Sequence, residues 1–474
     1  MISRVIAAAE RTNRASSSLP SFFSSWRMIS MLASSPLYGT RAIDMAARDG
    51  ELRIFTVAGE VSGDAIASRL MASLRILSPF PVRFAGVGGA LMHKEGLKSL
   101  FPMEDISVMG LWELLPYLNK IRRRLKETVE AAISFQPHVV VTVDSKGFSF
   151  RFLRQLKARS DCKQSALHVH YVAPSFWAWK GGEARLKGLR EFVDHLLCIL
   201  PFEEEVCRAN GLPATYVGHP MLEDHVHLNE EMDGSVAKWK VQRNGDGFRQ
   251  EHGLSPGATV ITLLPGSRLQ EVKRMLPIFS KTVEQLKDTF TDLSTIIPLA
   301  PNRQVETYIN REIQSWPVPN VLISGSSLSK KYDAFSASRA ALCTSGTAVM
   351  ELLLAGLPCV VAYRAHILTE WLIRYRTMLK CISLPNILLN SPIIPEVLFQ
   401  ECTPNNLSMA LSNIMLDEAA HEQQRAAAME VFELLWPSKG NPGSSLIQEL
   451  GSSLPSCCPS MVAASTILHS VVKQ

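Results

Sequence analysis

The chain of 474 residues lacks an apolar run of the ~18 residues that a membrane-spanning helix requires. Its best apolar stretch, residues 352–363, is interrupted by Gly356 and Pro358. This excludes a helical integral membrane protein, and we expect a folded body that is soluble or attached only to a membrane surface. Internal repeats and heptads are also missing, which excludes solenoids and coiled coils.

Cysteine and histidine patterns for metal or disulfide chemistry are missing as well. The nine cysteines are scattered without a CxxC pair, and Cys457 and Cys458 fall in a tail rich in Ser and Pro. We therefore predict free thiols in a reducing compartment. His168 and His170 alternate along a predicted strand, but no third ligand is near, so we interpret them as core histidines and expect no metal site.

The body of the chain has almost no excess charge of either sign. The formal charge is +5, but residues 1–43 contain five Arg and a single acid, and the remainder has 44 basic and 43 acidic residues. A surface for nucleic acid is therefore not expected.

The first 43 residues are rich in Arg and Ser and poor in acids. This composition is typical of an organellar transit peptide, and a plain disordered tail is the alternative. Because Arg dominates and residues 2–9 can form one face of a basic helix, we predict a mitochondrial destination, with the plastid as the competing one.

Strand patterns alternate with helix patterns in two blocks, which predicts an α/β fold with parallel sheets covered on both faces. We expect one Rossmann-like domain over residues 52–228 and a second over 258–403, joined by a polar linker or small insertion over 229–257. Two helices are predicted over 404–438 and a loose Gly/Ser/Pro-rich tail over 439–474.

The second block opens with a predicted anion site. An apolar strand ends at Pro265 and Gly266, Ser267 follows, and a helix begins around Leu269. Backbone N–H groups and the positive end of the helix dipole then face one point, and Arg268 adds a guanidinium suited to a diphosphate. An ordinary βα turn with a surface arginine is the alternative.

A second turn of this kind lies at residues 344–347, where Ser345, Gly346 and Thr347 end a strand and open a helix that carries Glu351. Small hydroxyl residues can bind phosphate oxygens, and Glu351 can accept hydrogen bonds from ribose hydroxyls. Helix capping alone would also explain Ser345 and Thr347.

In the first block, a strand ends in a glycine turn that is not a GxGxxG sequence. Its glycines allow a ligand to approach the backbone, and we select Glu60, Ser62, Gly63 and Asp64 as candidate binding residues. Asp144 follows another buried strand, where its carboxylate can act as a general base, orient a hydroxyl, or cap the next helix.

Two further segments are candidates for substrate or lipid contact. Trp177 lies in an aromatic loop, which can line a binding surface or pack against the core. Met109 lies in the apolar segment 109–118, which a basic cluster over 120–126 follows. Binding to anionic lipid needs such a combination, although a core helix with a solvated end has the same pattern.

Taken together, these motifs resemble the lipid A disaccharide synthase family, over about residues 52–436. Eight short motifs occur in the family's order. They are Ala-Gly-Glu-Val-Ser-Gly-Asp at 58–64, Val-Met-Gly at 108–110, Pro-Ser-Phe-Trp-Ala-Trp at 174–179, Leu-Pro-Phe-Glu at 200–203, Val-Gly-His-Pro at 217–220, Leu-Pro-Gly-Ser-Arg at 264–268, Ser-Gly-Thr at 345–347 and Ser-Leu-Pro-Asn at 383–386.

The resemblance implies a GT-B fold, which is two Rossmann-like domains with a cleft between them. It implies an inverting glycosyltransferase that joins UDP-2,3-diacylglucosamine to 2,3-diacylglucosamine 1-phosphate, releasing UDP, in the form found in plant organelles. No cofactor is implied, peripheral membrane contact is expected, and oligomers are left open. By similarity Arg268 holds the diphosphate, Asp144 is the candidate base, and Asn386 belongs to the catalytic set.

The chain departs from the family at one position. Bacterial members commonly read Asp-Ala-Pro-Asp-Phe where this chain has Asp-Ser-Lys-Gly-Phe at 144–148, so Gly147 replaces the second carboxylate. This leaves two alternatives open. One is a different GT-B enzyme acting on UDP-sugars, and the other is a lipid-binding protein without activity.

Overall fold

The computed structural model describes residues 41–107, 118–159, 166–223, 243–324, 327–365, 370–371, 375–377, 379–436 and 458–471. The segment 109–118 and the candidate residue Met109 lie outside these ranges, apart from Leu118, as does most of the leader. No helix within them is long and apolar enough to cross a membrane.

The amino-terminal domain is built on a six-stranded parallel sheet of order β2-β1-β3-β4-β5-β6. Its strands are β1 Leu52–Ala58, β2 Val82–Val87, β3 Val139–Val143, β4 Leu167–Tyr171, β5 His195–Cys198 and β6 Ala214–Tyr216. Its helices are α1 Ala42–Asp49, α2 Val61–Leu77, α3 Ala90–Lys94, α4 Leu118–Phe135, α5 Lys146–Arg159, α6 Gly182–Leu189 and α7 Pro201–Ala209.

Strand β3 shows why this sheet forms. Its sequence Val-Val-Val-Thr-Val is buried at every position, as a central strand covered on both faces requires. Valine prefers the extended backbone, and burying each of its four valines contributes roughly 1.5–3 kcal/mol. Since β3 pairs with β1 on one side and β4 on the other, it fixes the middle of the domain.

The carboxyl-terminal domain repeats the design, with the order β12-β11-β10-β7-β8-β9. Its strands are β7 Thr259–Leu264, β8 Leu293–Leu299, β9 Asn320–Ser324, β10 Ala340–Thr344, β11 Cys359–Tyr363 and β12 Glu396–Leu398. Its helices are α8 Gly245–Glu251, α9 Leu269–Leu286, α10 Arg303–Glu312, α11 Leu328–Ser336, α12 Thr347–Leu354, α13 Leu384–Leu389, α14 Pro404–Leu416 and α15 Glu418–Leu435.

The stretch expected to be a linker is partly structured. Phe248 of α8 is buried with Ala258 and Val260 in the core of the carboxyl-terminal domain, and the Arg249 guanidinium donates to the carbonyl of Ala337. The carboxyl-terminal domain therefore begins before residue 258. A few apolar residues within the polar stretch pack α8 against that domain.

The expectation of a loose tail over 439–474 is wrong for its last part. Pro459–His469 forms a helix, α16, that packs against α1 and α2 of the amino-terminal domain. Four of its apolar residues are completely buried, namely Val462, Ala463, Ala464 and Ile467. The helix is therefore held by small apolar side chains and has no clear amphipathic stripe. The chain thus returns from its second domain to its first.

The leader also ends slightly earlier than position 43. Ala42 is completely buried, Ile43 is nearly so, and Arg41 forms an antiparallel bridge with Val471. Residues 41–43 therefore belong to the folded body. The prediction of two Rossmann-like domains is confirmed, with both sheets parallel and covered by helices on both faces.

Candidate active site

The two predicted anion turns lie side by side in the carboxyl-terminal domain. Strands β7 and β10 are hydrogen-bonded neighbours, so the turns that follow them meet at one edge of the sheet. Helix α9 begins after Arg268 and α12 after Gly346, and neither of these N-cap residues caps its helix with a side chain. Gly346 and Thr347 are exposed to solvent, as is Ser267. The backbone N–H groups of the two helix N-termini therefore lie at the same edge of the sheet.

Gly266 fits this turn for two reasons. Its φ of 122° lies where only glycine is comfortable, and a Cβ there would come within 2.3 Å of the Glu271 carboxylate. Any larger residue would displace either the turn or Glu271.

Glu271 is a functional neighbour that the sequence interpretation missed. Its carboxylate accepts hydrogen bonds from the backbone N–H groups of Ser267 and Arg268 and from the Thr344 side chain. Burial raises the pKa of this carboxyl, and the Arg268 charge opposes that shift. A glutamate at the third position of a helix is half of a capping box, so its position in the sequence was a usable signal.

Glu351 and Ser345 both have partners within the domain. Lys331 of α11 donates to the Glu351 carboxylate at 2.8 Å, and the Ser345 hydroxyl donates to the carbonyl of Ile382 at 3.2 Å. Lys331 was not selected from the sequence because it lies 20 residues away on another helix. The Glu351 carboxylate is therefore ion-paired with Lys331.

Two carboxylates stand on the opposite wall. The register pairs Ala58 of β1 with Val143 of β3, so Glu60 and Asp144 follow neighbouring strands at the same edge. Asp144 and Ser145 have φ values of 49° and 43°, so the chain turns through the left-handed region as it leaves the sheet. Such non-glycine backbone costs free energy and is concentrated at functional sites.

Asp144 does not cap the following helix with its side chain. Its carbonyl accepts from the Ser149 hydroxyl at 2.8 Å, and its N–H donates to Tyr171. Within the described part of the chain no group donates a hydrogen bond to its carboxylate. Of the alternatives that the sequence left open, capping is therefore not supported, and the Asp144 carboxylate lies close enough to Glu60 for its charge to raise the pKa of that residue.

Arg268 and Glu60 join the two walls. Arg268 Nη2 donates to Glu60 Oε2 across the cleft, and the two side chains are 31% and 16% exposed. Burial raises the pKa of the Glu60 carboxyl, Arg268 lowers it, and the nearby Asp144 charge raises it again. Burial also lowers the pKa of the Lys146 ammonium, which lies close to both carboxylates.

Two other predicted residues of the glycine turn organise the backbone instead. The Asp64 carboxylate accepts from the N–H groups of Gly89, Leu91 and Met92 at 2.8 to 3.0 Å and is 5% exposed. Gly63 packs α2 against β3, where an added Cβ would lie 3.4 Å from a Val143 oxygen.

Ser62 is partly exposed in the first turn of α2 and is thus the accessible member of this group. The selection of Asp64 as a contact residue needs correction, since its oxygens are already satisfied.

Asn386 is bonded within its own domain. Its amide donates to the Ile394 carbonyl and to Glu396, its oxygen accepts from the Ile394 N–H, and it is 1% exposed. The side chain therefore ties α13 to β12 and has no free surface for a substrate.

Trp177 is half-buried between the domains. Its indole N–H donates to Glu203 at 3.0 Å, and its ring meets Phe202 edge to face at 4.8 Å. It packs against a core cluster that contains buried side chains of both domains, among them Leu200 and Met350. The alternative that this loop packs against the core is thus the better description of Trp177.

His168 and His170 are buried in the amino-terminal core, as interpreted. His168 Nδ1 bonds to the Phe192 carbonyl, and His170 Nδ1 bonds to the Thr142 hydroxyl. In the described ranges no cluster of His, Cys, Asp and Glu side chains is arranged to hold a metal ion. The seven cysteines in those ranges are free thiols.

The cleft therefore has two unlike walls. The carboxyl-terminal wall presents two helix N-termini and Arg268, which stabilise negative charge. The amino-terminal wall presents Glu60 and Asp144, which can accept a proton. A reaction in which an anionic group leaves on one side while a hydroxyl loses its proton on the other fits this arrangement.

Comparison with known proteins agrees with the geometry. Solved structures resemble the fold at low sequence identity. A Staphylococcus aureus MnaA–UDP co-structure has a TM-score of 0.52 with 13% identity, covering 80% of this chain and 94% of that one. The UDP-GlcNAc 2-epimerase of Neisseria meningitidis bound to UDP-GlcNAc has a TM-score of 0.50 with 12% identity, covering 81% and 99%. These likenesses show a GT-B-like fold and no more.

Sequence relatives are much closer. A protein of Arabidopsis thaliana named "Probable lipid-A-disaccharide synthase, mitochondrial" is 58% identical, over 90% of this chain and 92% of its own length. The lipid-A-disaccharide synthase of Rhodospirillum centenum is 42% identical, over 82% and 91%. The family model described as lipid-A-disaccharide synthetase matches residues 54–449. The chain therefore belongs to the lipid-A-disaccharide synthetase family.

Proposed function

We propose that this protein transfers the acylated glucosamine of UDP-2,3-diacylglucosamine to the 6-hydroxyl of 2,3-diacylglucosamine 1-phosphate, with inversion at the anomeric carbon and release of UDP. Family membership supports the substrates. The observation that carries the chemistry is the opposition of Arg268 and two helix N-termini to Glu60 and Asp144 across one cleft.

The carboxyl-terminal wall binds the donor in this proposal. The leaving diphosphate lies over the turns of Gly266, Ser267, Ser345, Gly346 and Thr347, where backbone donors and the helix dipoles favour it. Arg268 neutralises the charge that grows as the bond to the sugar breaks, which is a contribution of a few kcal/mol to the barrier.

Glu351 lies one turn into α12, where its carboxylate accepts a hydrogen bond from Lys331. In this proposal the same carboxylate binds the hydroxyls of the nucleotide's ribose. The groups named on this wall supply the charge stabilisation themselves, so the proposal includes no cofactor.

The amino-terminal wall binds the acceptor. Asp144 is partly exposed and lies close to Glu60, and in this proposal it accepts a hydrogen bond from the acceptor's 6-hydroxyl and orients it. It is also one of two carboxylates able to take the proton. Gly147 removes the family's usual second carboxylate, but Glu60, which follows the neighbouring strand, supplies another beside Asp144.

We further propose a mitochondrial location at a membrane surface. The composition of the leader and the name of the Arabidopsis relative support the organelle. Acylated substrates reside in membranes, and the exposed rings of Trp371 and Tyr375 stack on each other with Lys180 over the Tyr375 ring. Aromatic rings beside cations are typical of membrane interfaces.

The decisive experiment is a transferase assay with the purified full chain, both acylated substrates and detection of the disaccharide by mass spectrometry. We expect disaccharide and UDP in equal amounts from the wild type. Arg268→Ala should reduce the rate by about 10²–10³-fold, as loss of a charge-stabilising donor does. Lys273→Ala, an exposed cation on the same helix, is the matched control and should be near normal.

Consumption of UDP-sugar without disaccharide, or epimerisation of UDP-GlcNAc, would contradict the proposed activity.

A further inference from the structure

Glu60 is bound to the residue that should hold the donor. It is the N-cap of α2, but its side chain does not bond to its own helix. The carboxylate instead reaches across the cleft and accepts from Arg268 Nη2. In the proposed function Arg268 binds the donor's diphosphate, so without donor a carboxylate of the opposite domain occupies one side of the guanidinium.

The surrounding charges make this a competition. The Glu60 carboxylate lies close to two positive groups, Arg268 and Lys146, and to one negative group, Asp144. A diphosphate brings at least two further negative charges and offers paired oxygens that match the guanidinium fork. The N-termini of α9 and α12 also favour phosphate. We therefore expect the donor's diphosphate to bind at Arg268 more strongly than the Glu60 carboxylate does.

We propose that Glu60 is the resting partner of Arg268 and, once the donor's diphosphate has replaced it, takes the proton of the acceptor's 6-hydroxyl. This inference rests on the proposed function. Losing Arg268 removes the cation that stabilises the Glu60 carboxylate, while Asp144 beside it still carries its charge. Glu60 therefore becomes a stronger base only after the donor has bound.

The step is balanced as a single displacement. The 6-hydroxyl gives its proton to the Glu60 carboxylate while its oxygen forms a bond to the anomeric carbon from the face opposite the diphosphate. The bond from that carbon to the diphosphate oxygen breaks, and UDP leaves with the electron pair toward Arg268. The Glu60 carboxyl then releases its proton to solvent, and its carboxylate returns to Arg268.

This arrangement also orders the substrates. Before the donor arrives, Glu60 is held by Arg268 and is a poor base for the acceptor. Donor binding therefore activates the acceptor wall, which avoids activating a hydroxyl when no sugar is present to receive it.

The test separates binding from turnover in the full chain. UDP affinity is measured by isothermal titration calorimetry, and disaccharide formation is measured with both substrates saturating. Glu60→Gln removes the competing charge, so we expect UDP to bind at least threefold tighter while turnover falls at least 100-fold. Asp144→Asn removes a neighbouring charge without touching Arg268 and should not tighten UDP to the same extent.

Three results would overturn the inference. Weaker UDP binding by Glu60→Gln would make Glu60 a group that orients Arg268 for the donor. Equal tightening by Asp144→Asn would show a general charge effect rather than competition for Arg268. A turnover loss below tenfold would assign the proton to another group.

Glu60→Asp, whose shorter side chain reaches less far toward Arg268, gives a second measure of UDP affinity if Glu60→Gln does not fold. Thermal unfolding of each variant verifies the fold. If the wild type makes no disaccharide, the proposed function fails, whereas the comparison of UDP affinities still decides whether Glu60 competes for Arg268.

Discussion

The indole N–H of Trp177 donates a 3.0 Å hydrogen bond to a glutamate, Glu203, that is only 2% exposed. The second oxygen of Glu203 accepts from the Leu200 N–H at 3.2 Å. Trp177 packs against a core cluster that contains residues of both domains. A carboxylate at this point joins the aromatic loop to α7 and makes the interface sensitive to protonation.

The burial of Glu203 makes the stability of the folded protein depend on pH. Burial raises the pKa of Glu203 from 4.5 to about 7 in the folded protein. Because the folded state binds this proton more tightly, Glu203 favours folding below pH 4.5, and that contribution is lost as the pH rises to about 7.

We therefore expect the unfolding free energy of Glu203→Gln to depend less on pH between 5 and 7 than that of the wild type, by up to about 3 kcal/mol. Urea unfolding at several pH values measures this. Parallel pH profiles for the two proteins would contradict it.

Asn386 gives a prediction that separates structure from catalysis. Asn386→Ala removes three hydrogen bonds and leaves the N–H and carbonyl of Ile394 without their partner. We expect a loss of roughly 2–4 kcal/mol in stability, because buried unsatisfied groups are costly.

Well below the melting temperature, Asn386→Ala should bind UDP within about twofold of the wild type. The matched control is Asn405→Ala, an exposed asparagine of α14, whose stability should not change. Normal stability of Asn386→Ala together with lost turnover would restore a direct catalytic role.

Secondary structure can be predicted from this sequence more fully than contacts between distant residues. The strands and helices follow from local patterns, and β3 is an example because its valines favour both the extended backbone and burial. The strand–turn–helix order at residues 259–269 and 340–347 also follows from the sequence, since strand, glycine and helix start are consecutive in the chain. Both kinds of prediction depend on residues close together in sequence.

Pairings between distant residues could not be predicted in the same way. The contact of Arg268 with Glu60 spans 208 positions, and that of Asn386 with Glu396 depends on how α13 meets β12. Asn386 and Asp64 were selected because motifs contain them, but a motif does not distinguish a group that touches substrate from one that supports the backbone. The tail helix was missed because its small, evenly apolar residues have little amphipathic signal.

Helix α16 should be essential to the amino-terminal domain although it lies at the far end of the chain. The Ser460 hydroxyl accepts from that of Ser73 at 2.8 Å, and the Ser460 N–H donates to Glu223 at 2.5 Å. Ile467 is completely buried, so Ile467→Ala should cost about 2–5 kcal/mol by leaving a cavity.

The control is Thr466→Ala, which changes the adjacent, partly exposed position. It should lower the free energy of unfolding by less than about 1 kcal/mol. Thermal unfolding of both variants measures the difference. Equal stability of Ile467→Ala and the wild type would show that the helix is not docked in solution.

The composition of the leader predicts a mitochondrial location, which fluorescence imaging can test. Residues 1–40 have the Arg-rich, Ser-rich and acid-poor composition of a transit peptide, so fusing them to a fluorescent protein in plant cells should direct it to mitochondria. Replacing the four arginines Arg4, Arg11, Arg14 and Arg27 with glutamine should leave the fusion in the cytosol, because these targeting segments depend on positive charge. A plastid signal from the unchanged leader would contradict the mitochondrial assignment.

Trp371 and Tyr375 lead to a prediction about membrane binding. Their rings are parallel, with centroids 5.6 Å apart, and are 64% and 61% exposed. Such exposure of two large aromatic groups costs free energy in water, and a lipid interface recovers part of it. The Lys180 ammonium, 5.3 Å from the Tyr375 ring centre, and the exposed Arg376 add attraction to anionic headgroups.

We expect the wild type to sediment with vesicles of phosphatidylcholine and phosphatidylglycerol, and the double variant Trp371→Ala/Tyr375→Ala to bind them at least fivefold more weakly. Raising the salt concentration should weaken binding of the wild type, because the headgroup attraction is screened. Leu416→Ala removes an equally exposed apolar side chain, 68% exposed on α14, and should bind like the wild type. If both variants lose binding equally, general surface apolarity holds the protein to the vesicle; if neither does, the membrane contact lies elsewhere, and the aromatic pair must have another partner.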